Sequence, residues 1–300
     1  IRAKAFLPQL TRQTVLTYDN FFKGLHIFLY GLLLKVIIAD NIAFIVDPIF
    51  KNPASYDSLA VWVALIGYSF QIYCDFCGYS EMAIGLALAL GYDLTANFRT
   101  PYLATNLVDF WQRWHISLSS WLRDYLYISL GGNRKGLPRT CFNIFVTMSL
   151  GGLWHGAEWR FILWGVYHGT GLVLNRSFFS AKTHLGSNWI STVFKWAATY
   201  LFVCFGWVLF RAENMAIAWR FYHKLLFWDS ANINWQFITL ENLFFIPCMI
   251  LVHWWHYKTK KESVFFEIDS IASHLYITLS IYLLYLFAPV ENTAFIYFQF

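Results

Sequence analysis

The sequence predicts an all-α, polytopic integral membrane protein, with broken and re-entrant helices around an internal cavity. Three observations predict it. Hydrophobic residues fill 58% of the 300 positions and charged residues only 13%, against about 25% charged in a soluble domain. The apolar residues gather in runs that approach the length of a helical span, about 20 residues. Two of those runs are interrupted, and irregular backbone at membrane depth survives only where protein buries it or water lines it.

The elements follow in order. Gly24–Val46 reads as one span, carrying Lys35 and Asp40. Leu59–Tyr73 and Tyr79–Leu90 are each short for a crossing and read together as one passage broken at Cys74–Gly78, with Asp75 and Glu81 beside the break. Ionisable groups at such depth are functional candidates, yet structural pairing is the reading favoured for these four. Cys141–Leu153 and Trp159–Leu174 form a second broken passage, with "GGLWHGAEW" (Gly151–Trp159) at its break. Phe194–Phe210, Leu243–Tyr257 and Ile271–Ala288 complete the set. With no internal repeat and no low-complexity linker, residues 1–300 read as a single domain.

Between the two broken passages, Asp109–Gly136 is amphipathic. Trp111, Trp114, Leu118, Trp121, Leu122 and Tyr125 recur at the 3–4 spacing of a helix with one buried face. His115 falls on the same stripe. Arg113, Ser117, Ser120 and Asp124 take the other face, and Asp109 and Arg113 are an i,i+4 pair. Three tryptophans opposite a polar face predict a helix near the membrane interface. An anchoring helix and one that presents His115 to a cavity both fit.

Charge and cysteine usage exclude several classes. The net charge is +5, with basic residues gathered at Arg2–Lys23, Arg123–Arg139 and Lys258–Lys261, as in cytoplasmic loops beside spans. Placing the last two clusters inside leaves Arg211, Arg220 and Lys224 outside, so at least one expected boundary is misplaced. No long basic run suggests a nucleic-acid partner. The five cysteines are odd in number and irregular in spacing, which argues for buried thiols rather than a disulfide framework or a metal site. His253-x-x-His256 has no carboxylate or cysteine partner in view. The chain starts at Ile1 without a signal-peptide pattern. Ile1–Leu10 reads as a loop that follows spans missing from this chain.

No H-E-x-x-H or G-x-S-x-G pattern is present. His155, His115 and His168 remain as reactive candidates. An imidazole takes and returns a proton near neutral pH, and Gly151, Gly152 and Gly156 let a backbone or a substrate approach His155 closely. Catalysis and packing both remain open for it. Gly152-x-x-x-Gly156 and Gly165-x-x-x-Gly169 also permit tight helix packing. Gly131-Gly132-Asn133-Arg134-Lys135-Gly136 is no P-loop; it fits a cationic cytoplasmic turn, or one presenting N–H groups and charge to a phosphate.

"DFWQRWHISLSSWLRDYLYISLGG" followed by "GGLWHGAEWRFILWGVYHG" resembles the membrane-bound O-acyltransferase family, and most of all its branch of alginate and related polysaccharide O-acetyltransferases. "FLPQL", "DFCGYSEMAIG", "NFRTPYLATNLVDFW", "FGWVLFRA" and "FIYFQF" extend the resemblance over nearly the whole chain. It implies acetyl transfer from a cytoplasmic thioester, with acetyl-CoA as donor and no tightly bound cofactor, toward a hydroxyl of an extracellular polysaccharide. It also implies periplasmic or membrane-anchored acetyltransferase partners, membrane lipid around the chain, and a multi-pass place in the bacterial inner membrane. By motif, His155 matches the family's essential histidine and His115 its second histidine. Arg113, Trp154, Arg134 and Lys135 are then expected to contact substrate or donor. D-alanyl transfer to teichoic acid, and transport without acyl transfer, are the alternatives. Family members begin with further spans, so a chain lacking its N-terminal spans is expected.

Overall fold

The structure is a computed structural model and describes residues 2–12, 14–179, 188–229, 247, 250–255, 258–259, 266–267, 270–289 and 295. Cys248, His256, Lys260, Lys261, part of Leu243–Tyr257 and all of "FIYFQF" but Phe295 lie outside the described residues. The described residues contain helices and no strand, which agrees with the all-α expectation. In chain order the α-helices are α1 (Ala3–Leu10), α2 (Tyr18–Leu32), α3 (Asp40–Lys51), α4 (Ser58–Ala89), α5 (Leu107–Arg113), α6 (Ile116–Trp121), α7 (Gly136–His155), α8 (Trp159–Leu174), α9 (Trp189–Arg211), α10 (Met215–Leu226) and α11 (Ile271–Phe287). Wider π-helical turns join α2 to α3 at Leu33–Ala39 and follow α6 at Leu122–Tyr127. Tyr18–Lys51, Ser58–Ala89 and Trp189–Arg211 are long and apolar enough to cross a membrane.

Helix starts follow the capping rule that a short polar side chain satisfies a free N–H of the first turn. Thr17, Asn106, Asn188, Asn214 and Ser270 cap α2, α5, α9, α10 and α11 in this way.

The chain divides into two compact units. The first comprises residues 2–45, 67–99 and the described positions from 247 onward. Here α2 and α4 touch backbone to backbone. A Cβ on Gly31 would lie 2.5 Å from the Gly78 carbonyl oxygen, and one on Gly24 would lie 2.4 Å from that of Gly85. Only glycine permits this approach. The π-helical turn holds Lys35, whose Nζ donates to Asp40 Oδ1 at 2.7 Å and meets Asp75 Oδ1 at 2.6 Å. Structural pairing therefore accounts for three of the four ionisable groups. His26 is also satisfied: its Nε2 lies 2.9 Å from Ser273 Oγ.

The expected break at Cys74–Gly78 is absent, because α4 runs unbroken through it. Glycine inside a helix costs only about 1 kcal/mol. The contact with Gly31 explains its presence, and the irregular turn falls in the preceding passage instead.

The second unit comprises residues 46–66 and 100–229 among those described. Its centre is a hairpin of α7 and α8. A Cβ on Gly152 would lie 2.2 Å from the Phe161 carbonyl oxygen, and one on Gly165 would lie 2.3 Å from that of Met148. The close packing expected of these glycines is thus present, except that Gly156 backs onto the Phe161 ring instead. Trp114, Trp207, Phe110, Phe161 and Phe210 form the buried core beside the hairpin.

The amphipathic segment is not one helix. Trp114 N–H donates to the Phe110 carbonyl and closes α5, and His115 takes a left-handed φ of 43°. A new helix then opens with Ser119 N–H donating to the His115 carbonyl, while Ser119 Oγ donates to that of Trp114 at 2.9 Å. The expected stripe is cut at His115: Trp114 goes into the core and His115 starts a second direction.

Candidate active site at the α7–α8 turn

His155 is the last residue of α7, and Gly156–Glu158 turn the chain into α8. The expected break in this passage is present. Aromatic rings enclose the imidazole: Phe210 and Trp154 at 5.0 Å between centroids, Trp164 at 5.2 Å and Phe161 at 6.4 Å. Trp164 and Phe210 belong to the core, whereas Trp154 is 60% exposed and forms the outer wall. One side of the cage is dry and the other is open, which suits a group that must meet a substrate yet stay poorly solvated.

His115 packs on the same indole, 6.3 Å from Trp154 between centroids. The two histidines therefore share one wall, although 40 positions separate them. Burial pushes the His115 pKa down to about 3, and the neighbouring His155 adds to the shift. His115 is neutral at physiological pH, so its ring offers one donor and one acceptor. Its left-handed backbone is unusual for a residue other than glycine and costs about 1–3 kcal/mol.

Arg113 caps the same bend. Its Nε donates to Asp109 Oδ1 at 2.7 Å and its Nη1 to Thr100 Oγ1 at 3.4 Å. The expected i,i+4 pair is present, and it holds the arm that carries His115.

Arg134 and Lys135 are exposed in the turn before α7, at its opposite end from His155. At 1.5 Å per residue the intervening helix is about 28 Å long. Gly131, Gly132 and Gly136 all have positive φ, and Asn143 Nδ2 donates to the Gly132 carbonyl at 3.0 Å. The turn is well built and cationic, but it is not part of the histidine cage.

Two residues of the cage were not singled out from sequence: Arg160 and Phe210. Arg160 is 7% exposed. Its Nε and Nη2 meet Glu158 at 2.8 and 3.1 Å. Its Nη1 donates to the carbonyls of Phe210 and Ala212 at 3.0 and 2.9 Å. The guanidinium also lies over the Phe161 ring at 4.3 Å. One side chain thus fixes the start of α8, the end of α9 and two walls of the His155 cage. Glu158 in turn has its carboxyl lowered by the hydrogen bond from Arg160. The signal in the sequence was Glu158-Trp159-Arg160, two charges directly after a break in an apolar run.

An all-helical chain among its described residues, with three helices long and apolar enough to cross a membrane and two histidines packed on one indole, is the class that fold and site define. The chain belongs to the membrane-bound O-acyltransferase family, whose sequence profile matches residues 4–208. It is 44% identical over 242 residues to a probable alginate O-acetylase of Pseudomonas aeruginosa, covering 78% of this chain and 44% of that relative. It is 43% identical over 205 residues to a peptidoglycan O-acetyltransferase of Helicobacter pylori, covering 68% and 38%. A teichoic acid D-alanyltransferase of Bacillus subtilis is 32% identical over 211 residues, covering 65% and 52%. The chain spans about half the length of the curated relatives it matches.

Proposed function

We propose that the protein is a multi-pass O-acetyltransferase of the bacterial inner membrane. It moves an acetyl group from a cytoplasmic thioester, acetyl-CoA, toward a hydroxyl of an extracellular polysaccharide, by way of a periplasmic or membrane-anchored partner. The observation that carries this reading is the half-open aromatic cage that holds His155, with His115 on the same Trp154 indole. The imidazole of His155 accepts the proton of the acceptor hydroxyl while its oxygen attacks the thioester carbonyl. The carbon–sulfur bond then breaks and the departing sulfur takes the proton back. Such base assistance is worth about 10²–10⁴ in rate. Neutral His115 orients the acceptor or donates a hydrogen bond to the oxyanion. Higher identity to the two acetylating relatives than to the D-alanylating one supports acetate as the group moved.

The test is the full-length protein in membranes, with labelled acetyl-CoA as donor. His155→Ala is expected to abolish label transfer while membrane abundance stays unchanged. Near-normal transfer in that variant overturns the assignment, and transfer that requires a D-alanyl carrier protein instead of acetyl-CoA overturns the donor.

A further inference from the structure

Beside the His155 cage, three side chains present buried nitrogen atoms that have no partner among the described residues: Trp111 Nε1, Trp164 Nε1, and both ring nitrogens of His168. They form one group. The Trp111 ring lies 5.2 Å from His168 and 5.7 Å from Trp164, and Trp164 lies 5.0 Å from His168. Trp164 is also a wall of the His155 cage, so the cluster adjoins the site directly. His168 is fully buried and Trp164 is 2% exposed.

Packing alone does not account for this choice of residues. An unpaired buried N–H costs about 1–3 kcal/mol, and buried polar groups are paired almost without exception. At His168 a phenylalanine ring would fill the space without that cost, and this chain uses phenylalanine at 30 positions. Gly206 packs closely on the same ring: a Cβ there would stand 2.8 Å from His168 Nε2.

The inventory of donors and acceptors defines the partner. Two indoles contribute one donor each, and a neutral imidazole contributes one donor and one acceptor. Three donors against one acceptor exclude a cation and call for an oxygen with free lone pairs. We propose that Trp111, Trp164 and His168 form a buried oxygen-binding site beside His155, filled by enclosed water or by the carbonyl oxygen of the transferred acyl group. Water accepts from two of the donors and donates a hydrogen bond to the imidazole acceptor. An acyl carbonyl accepts two and becomes better stabilised as its oxygen gains charge. The acyl source rests on the acetyl-transfer reading; the water source does not.

The experiment is a cryo-EM map of the full-length protein in lipid nanodiscs at a resolution that shows ordered water, with and without a thioether analogue of acetyl-CoA that keeps the carbonyl. Density is expected within about 2.7–3.2 Å of these nitrogens. Density that persists unchanged with the analogue identifies water. In that case His168→Phe and Trp111→Phe lower Tm. Analogue oxygen at the site identifies the acyl source. Trp164→Phe then lowers kcat about 10²-fold at constant KM. Absence of density in both maps, together with a Tm raised by His168→Phe, overturns the site. Because the map and Tm do not depend on turnover, they decide the water source even if acetyl transfer itself fails its own test.

Discussion

His115 concentrates the residue-scale physics of the site. It combines a left-handed backbone, burial and a histidine neighbour. Its folded pKa of about 3 lies below the ordinary 6.5. The unfolded chain therefore binds a proton first as the pH falls. The stability linked to this group is complete above pH 6.5 and is lost progressively as the pH drops from there toward 3. His115→Asn is expected to flatten that part of a Tm-against-pH curve. Arg160 makes a different demand. Arg160→Met strands the carbonyls of Phe210 and Ala212, each costing about 1–3 kcal/mol, and frees two walls of the His155 cage. Chemical unfolding of the variant should show a loss of about 3 kcal/mol or more, with Arg160→Lys keeping part of it. Neither residue's role could be read from neighbours in sequence. His115 matters through Trp154 and Arg160 through α9, both contacts across a fold.

At the scale of elements, glycines decide where helices meet. Gly165→Leu would drive a side chain into the Met148 backbone, which α7 cannot yield without moving away from α8. Overpacking costs about 1–3 kcal/mol, and more where backbone has to move. Thermal unfolding should report it as a marked fall in Tm, and the proposed acetyl transfer should fall with it because His155 and Trp164 sit on the two separated helices. The motif around Gly152 and Gly165 was legible, since small residues four apart mark close packing. The pairing of Gly24 and Gly31 with Gly85 and Gly78 was not. Its seven-residue spacing is split over two helices, and nothing in either stretch names the other. For the same reason Gly78 reads as a break in sequence and proves to be a contact in the fold.

At the scale of the whole molecule, the length of α7 yields a prediction about topology. About 28 Å separates the cationic turn from His155, close to the thickness of a hydrocarbon core, about 30 Å. In the full-length protein, Lys135→Cys and Trp154→Cys are expected to react with an impermeant maleimide from opposite sides of the membrane. Labelling of both from one side would place α7 along the surface instead. The sequence by itself determined the helical class, the apolar runs, the broken passage at His155 and the candidate histidines. Composition and the 3.6-residue period are local properties and survive in one dimension. Only the tertiary structure decided that α4 is continuous, that the chain bends at His115, that Arg160 braces the cage, and that the cationic turn lies a helix length from His155. Those facts depend on which distant backbone or ring fills the space beside each residue, and that space exists only once the helices have packed.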